Sequence, residues 1–153
     1  MDRRKHNGET IEDITRAIII DEARERILFC SPKNKRYYYL PGGHVEFQET
    51  ARKGLKRELL EETGIKTDDT KFVFAGTNEN IFVQKGIKRH EMNFFFVVDD
   101  SSLYADEIPS REDHIAFSWL PFSEISESAI LPESAKKSCE EIAKGNAFPL
   151  SNL

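Results

Sequence analysis

The chain has little with which to staple itself: only two cysteines, Cys30 and Cys139, among 153 residues. Two isolated thiols make neither a disulfide framework nor a zinc signature. Cys30 ends an apolar segment and Cys139 falls in an expected helix, so both read as small core residues suited to a reducing cytoplasm. Long apolar runs are missing as well. The longest, Phe94–Val98, is far short of a membrane span, and the opening MDRRKHNGETIED has no apolar core for export. The expectation is a cytoplasmic protein without a membrane partner. No stripe of basic residues occurs and the net charge is -5, which argues against a nucleic-acid partner. Internal repeats and low-complexity stretches are absent too. An acidic chain that handles an anionic substrate would need a local cation.

What is present is the composition of one ordinary globular domain, 39% apolar and 32% charged, with residues 1–12 polar and expected to be flexible. Strands are expected at Thr15–Ile20, Arg26–Cys30, Arg36–Leu40, Lys71–Ala75, Ile81–Gln84, Lys88–Val98 and Ile115–Leu120. Pro41-Gly42-Gly43 breaks the third, Lys85-Gly86 makes a turn, and Asp99 to Asp113 is a polar loop. Helices are expected at Glu49–Glu62, capped by Gly64, and at Glu133–Lys144, with a helical turn at Ser123–Ile125. No regular βαβ repeat appears. Short turns favour antiparallel pairing, so the economical architecture is α/β, a mixed sheet sandwiched between helices.

One segment carries chemistry: Gly43 to Ile65, GHVEFQETARKGLKRELLEETGI. On a helical wheel Ala51, Leu55 and Leu59 form an apolar stripe, and Glu58 and Glu62 fall inside it, with Glu61 just off its edge. Glutamate is rarely buried unless paired, and like charges four residues apart repel. A solvated acidic patch is the usual reading of such a helix. The wheel weighs against it here, as does the Pro-Gly-Gly turn that frees backbone carbonyls near the helix start. A divalent cation resolves both costs, and an all-oxygen donor set suits magnesium or manganese better than zinc.

The segment resembles the box of the Nudix hydrolases (MutT-like proteins): Gly, five residues, Glu, seven residues, then Arg-Glu-apolar-any-Glu-Glu-any-Gly-apolar. Gly43, Glu49, Arg57, Glu58, Leu59, Glu61, Glu62, Gly64 and Ile65 match every specified position. The resemblance implies a Nudix fold over residues 1–153 and a loop–helix–loop that holds Mg2+, with Mn2+ able to substitute. Glu58 and Glu62 would be the main ligands, with help from Glu61 and the Gly43 carbonyl. Arg57 and Glu49 would hold the loop and orient the carboxylates, as an arginine fork can, and Gly64 would stop the helix. The implied reaction is hydrolysis of a phosphoanhydride bond in a nucleoside diphosphate linked to another moiety, such as a nucleoside triphosphate or nucleotide sugar. A nucleotide-binding sensor and a prenyl diphosphate isomerase on the same fold are the alternatives. The intact carboxylates argue against the first, and the intact box with no suitably placed cysteine against the second. A homodimer is common among similar proteins.

The general base is expected to be Glu58 or, from the loop, Glu112, whose simpler reading is one more solvated charge. Arg16, placed at the start of a strand, is a candidate phosphate ligand, or else a strand-edge charge. His44 follows the box glycine and is a candidate substrate contact or a surface histidine. Tyr39, among Tyr37–Tyr39, could stack on a base, although strand aromatics more often pack in a core. His90 and Glu91 are adjacent on a strand and should face opposite sides. Within the resemblance, ADP-ribose hydrolases place a proline about fifteen residues after the box and dinucleoside polyphosphate hydrolases a tyrosine slightly later. Here Asn80, Ile81, Phe82 and Val83 stand instead, and the coenzyme A and NADH signatures are absent, which leaves the substrate open.

Overall fold

The computed structural model describes residues 9–146. Its strands are β1 (Ile11–Asp21), β2 (Arg26–Pro32), β3 (Gly42–His44), β4 (Phe72–Gln84), β5 (Ile87–Val98) and β6 (Ile115–Pro121). Its α-helices are α1 (Ala51–Thr63) and α2 (Glu133–Ala143). The apolar run of β1 explains the layering. Ala17 and Ile19 enter one core with Leu55 and Leu59 of α1, whereas Ile18 and Ile20 enter another with Ala135 and Cys139 of α2. A strand buried on both faces reads as a continuous apolar run, because successive side chains point to opposite sides. Each fully buried leucine or isoleucine contributes roughly 1.5–3 kcal/mol of transfer free energy. The result is the expected mixed sheet with a helix on either face.

The sheet runs β4-β5-β1-β2-β6, and among the described strands only β1 and β5 are parallel. One local feature positions the site. β2 pairs with β1 only over Ile19–Asp21, and β3 takes the same edge of β1 at Ile14–Arg16. Between them Pro41 accepts a hydrogen bond from the Ala17 N–H at 2.8 Å. The two strands therefore part around residues 39–41, and Gly42-Gly43 enters the sheet.

Several boundaries differ from expectation. Residues 1–8 of the segment expected to be flexible lie outside the described residues, but Ile11 and Glu12 belong to β1, in register with His90 and Glu91. Arg16 is consequently mid-strand rather than at a strand start. Arg36–Leu40 is no continuous strand. Tyr39 exchanges both backbone bonds with Cys30, while Tyr38 bonds Ala129 and Leu131 on the other side, so successive residues serve different neighbours. The two strands expected within 71–84 are one, β4. Its polar middle, Gly76–Asn80, pairs throughout with β5, and the register slips once between Phe74 and Gly76. The helix begins at Ala51, because Thr50 caps it by accepting from the Lys53 N–H at 3.2 Å, which leaves Glu49 outside.

Candidate active site

Helix α1 lies against β1 and β3, and its first and last turns fix what it presents. Thr50 starts it, and Gly64 ends it in a left-handed conformation (φ 75°) with its N–H bonded to the Leu60 carbonyl. Between these ends Leu55 and Leu59 are fully buried, and the residues beside them are drawn inward. Glu62 is 5% exposed, whereas the Glu61 side chain is 53% exposed.

Arg57 organises the carboxylates. Its Nη2 and Nε donate to Glu49 Oε1 and Oε2 at 2.6 and 3.2 Å, a two-pronged fork. The same guanidinium donates from Nη1 to Glu58 Oε1 at 3.0 Å and to Glu61 Oε2 at 3.3 Å, and from Nη2 to the His44 carbonyl at 2.9 Å. Glu49 in turn accepts the Glu46 N–H at 2.9 Å, which ties the loop to the helix. The Arg57 hydrogen bonds hold the Glu49 carboxyl below the usual carboxylate range, and Glu49 likewise raises the pKa of Arg57.

Glu58 and Glu62 feel the opposite environment. Burial pushes the Glu58 pKa up, against the pull of Arg57. Glu62 rises further, to about 8, through burial first and then the neighbouring Glu58 charge. Glu112 adds to the rise, while Arg16 and the Gly42 N–H oppose it. Glu62 Oε2 is buried with no hydrogen-bond partner. Such a group costs about 1–3 kcal/mol or more unless something meets it.

The glycines at the loop make room for these carboxylates. A Cβ on Gly43 would lie 2.4 Å from the Glu58 carboxyl carbon, and one on Gly42 (φ 142°) only 1.9 Å from the Thr15 carbonyl oxygen. The Glu58 carboxylate thus rests directly on the Gly43 backbone. A Cβ on Gly54 would meet Glu49 Oε1 at 2.9 Å, so this mid-helix glycine lets the Glu49–Arg57 fork form. Its role was missed in the sequence, where the only signal was a glycine in a helix interior, a residue that costs stability there.

Among the described residues no three acidic, histidine or cysteine side chains stand as a finished ligand set. Arg57 holds one oxygen each of Glu58 and Glu61. The groups present nevertheless fit a hard divalent cation: an unpartnered buried carboxylate oxygen, a second inward carboxylate and a side-chain-free loop against it.

The remaining candidates fall into two groups. Arg16 and Tyr39 line a cavity of about 540 Å3, together with Tyr37, Asn80, Phe82 and Glu91. Arg16 donates to the Leu40 carbonyl at 3.2 Å and lies close enough to Glu62 to stabilise its charge. The Glu112 charge acts on the Glu62 pKa, and the Arg111 N–H, one residue before Glu112, bonds the Glu62 carbonyl at 2.7 Å. Arg111 was overlooked in the sequence; its guanidinium lies where a Gly64 Cβ would sit, 2.4 Å from Nε. His44 is exposed and turns its ring to Glu12 at 3.1 Å, away from a buried role. His90 pairs with Glu79 at 2.6 Å while Glu91 enters the cavity, so the two do face apart.

Comparison with known proteins defines the class. The family model described as NUDIX domain matches residues 12–141. The chain belongs to the Nudix family. Solved structures share the fold at low identity. The mutator MutT protein of Bacillus halodurans is 19% identical, with 92% of this chain and 86% of that one covered and a TM-score of 0.69. The E. coli ORF135 protein is 21% identical, with 90% and 92% covered and a TM-score of 0.62. A bifunctional NMN adenylyltransferase/ADP ribose pyrophosphatase of Francisella tularensis, complexed with AMP and a manganese ion, is 21% identical. It aligns with 89% of this chain and 42% of that one, at a TM-score of 0.59. No curated protein sequence matches the chain at a significant level.

Proposed function

We propose that the protein hydrolyses a phosphoanhydride bond in a nucleoside diphosphate derivative, with Mg2+ held by Glu58 and Glu62. Glu61 and the Gly43 carbonyl complete the set, and Mn2+ is an acceptable substitute. The observation that carries this reading is Glu62: a carboxylate buried to 5% exposure, its Oε2 without a partner, beside a second inward carboxylate. The ion, when bound, neutralises phosphate charge and lowers the pKa of a coordinated water.

The chain's own groups do the rest. Arg57 and Glu49 keep Glu58 and Glu61 at fixed distances from the Gly42-Gly43 backbone. Arg16 offers a guanidinium to a phosphate at the mouth of the cavity, and Tyr39 offers its ring face to the nucleoside. The cavity volume falls in the range of small-molecule sites. The attacking water gives its proton to Glu112 or Glu58. Glu112 stands outside the Arg57 fork, with Oε2 3.7 Å from His114 Nε2, whereas Glu58 Oε1 already accepts from Arg57. His44, exposed beside Glu12, contacts substrate only at the outer rim. Among the described residues no helix is long and apolar enough to cross a membrane. A reducing cytoplasmic setting suits the buried thiols of Cys30 and Cys139.

Product release from a panel of nucleoside triphosphates and nucleotide sugars, with magnesium, tests the reading. The wild type should release nucleoside monophosphate, with pyrophosphate as the second product from a triphosphate and a sugar phosphate from a nucleotide sugar, and Glu62→Gln should lower kcat at least about 100-fold, of the order seen when a group stabilising transition-state charge is removed. Binding without release would favour the sensor. Conversion of a prenyl diphosphate without phosphate release would favour the isomerase.

A further inference from the structure

We infer that Glu91, with Asn80 paired opposite it, selects a base with a guanine-type edge in the cavity beside the carboxylates, a specificity that rests on the proposed nucleotide site. Three observations carry it. Glu91 and Asn80 are register partners on β5 and β4, so their side chains share one face of the sheet. Both line the cavity, and neither side chain makes a hydrogen bond to any described residue, so their bonding capacity is unspent. The walls around them are Tyr37, Tyr39, Phe82, Leu131 and Pro132, an aromatic and apolar lining suited to a flat ring.

Polarity sets the orientation. Arg16 is the only cationic lining residue among those described, and it lies at the end near Glu62. It pairs with Phe95, four residues along β5 from Glu91. At roughly 3.3 Å per residue the two rows are about 13 Å apart. Glu91 makes the far end negative. Phosphates therefore belong at the Arg16 end and the base at the Glu91 end.

An ionised carboxylate only accepts hydrogen bonds, through two oxygens. Guanine presents two adjacent donors, N1–H and the N2 amine, beside the acceptor O6. Glu91 meets the two donors and the Asn80 amide donates to O6. Uracil and thymine flank a single N–H with two carbonyl oxygens, so one oxygen would face the carboxylate. Adenine and cytosine offer one amine beside an unprotonated ring nitrogen. Sites that pair substrate donors reject analogues lacking them, because the buried acceptor is left unmet.

The test compares kcat/KM for GTP, ITP, ATP and UTP in wild type, Glu91→Gln and Asn80→Asp. Calorimetric affinities for GDP, IDP and UDP are measured in parallel. Wild type should favour GTP over UTP by about 100-fold and over ITP, which lacks the N2 amine, by about tenfold, as expected for hydrogen bonds to a charged group. Glu91→Gln, with an unchanged thermal midpoint, should shrink the GTP/ITP ratio to within about threefold, and Asn80→Asp should penalise GTP and ITP alike. GDP bound in a Glu91-dependent manner without turnover would sink the hydrolase reading and sustain this one. Turnover without base preference, a preference that survives Glu91→Gln, or no nucleotide binding would overturn it.

Discussion

At the residue scale the account turns on Glu62, whose environment is arranged against its own charge. Its pKa in the folded chain stands near 8 against an ordinary 4.5, with burial the largest cause and the Glu58 charge the next. The sign follows from proton counting. Between these two values the folded protein keeps a proton that the unfolded chain has lost, so stability falls as pH rises through this window. In metal-free buffer the thermal midpoint should therefore drop by several degrees between pH 5 and 8, and Glu62→Gln should flatten that slope. Equal slopes in the two proteins would contradict the buried state of this carboxyl. This residue was readable from the sequence, because its place on the α1 stripe follows from helical spacing alone. The pairing of Arg57 with Glu49 was readable only through the resemblance, and its bond to the His44 carbonyl not at all, since no periodicity tells which loop oxygen an arginine fork will reach.

At the scale of the element, the ends of α1 matter more than its middle. Gly64 ends the helix at φ 75° and leaves room for the Arg111 guanidinium, whose backbone N–H bonds the Glu62 carbonyl. One glycine thus serves the helix stop and the approach of the loop that carries Glu112. Gly64→Ala should cost about 1–3 kcal/mol, read from urea denaturation, through strain at the left-handed position and displacement of Arg111. It should also lower kcat more than Lys85→Ala, a left-handed turn position remote from the box. A loss of stability below about 0.5 kcal/mol, the range of ordinary surface changes, would show that Arg111 and the helix end accommodate a methyl group freely. The helix and its Gly64 stop were plain in the sequence, as were the Lys85-Gly86 turn and the apolar strands β1 and β2. The Arg36–Leu40 segment was misread because strand-like composition does not reveal that its backbone bonds divide among three neighbours. β4 was cut in two because its polar middle looks like a loop until β5 supplies the pairing partner.

At the scale of the whole molecule, the sheet brings together residues that sequence cannot join. Arg16 and Tyr39 were candidates singly, but only the order β4-β5-β1 sets them in one cavity with Asn80 and Glu91. The splay of β1 from β2, filled by Gly42-Gly43, is equally a tertiary outcome. It presses the loop against Glu58 and leaves Glu62 Oε2 unpartnered. A ligand bound only by the native state stabilises it by about 2.7 kcal/mol at 100 times its dissociation constant. For a chain of this length that corresponds to a midpoint rise of about 5–10 °C. Magnesium at such saturation should raise the wild-type midpoint by that amount and leave Glu62→Gln within about 2 °C of its metal-free value.

The most direct measurement is calorimetric titration of Mn2+ into the wild type and Glu62→Gln at pH 7, repeated in buffers of different ionisation enthalpy. If a proton on Glu62 is what the ion displaces, the wild type takes up the ion with release of nearly one proton, and the variant binds at least about tenfold more weakly without that release. Failure of the wild type to take up Mn2+ at millimolar concentration, or uptake by the variant with the same affinity and the same proton release, would contradict the account.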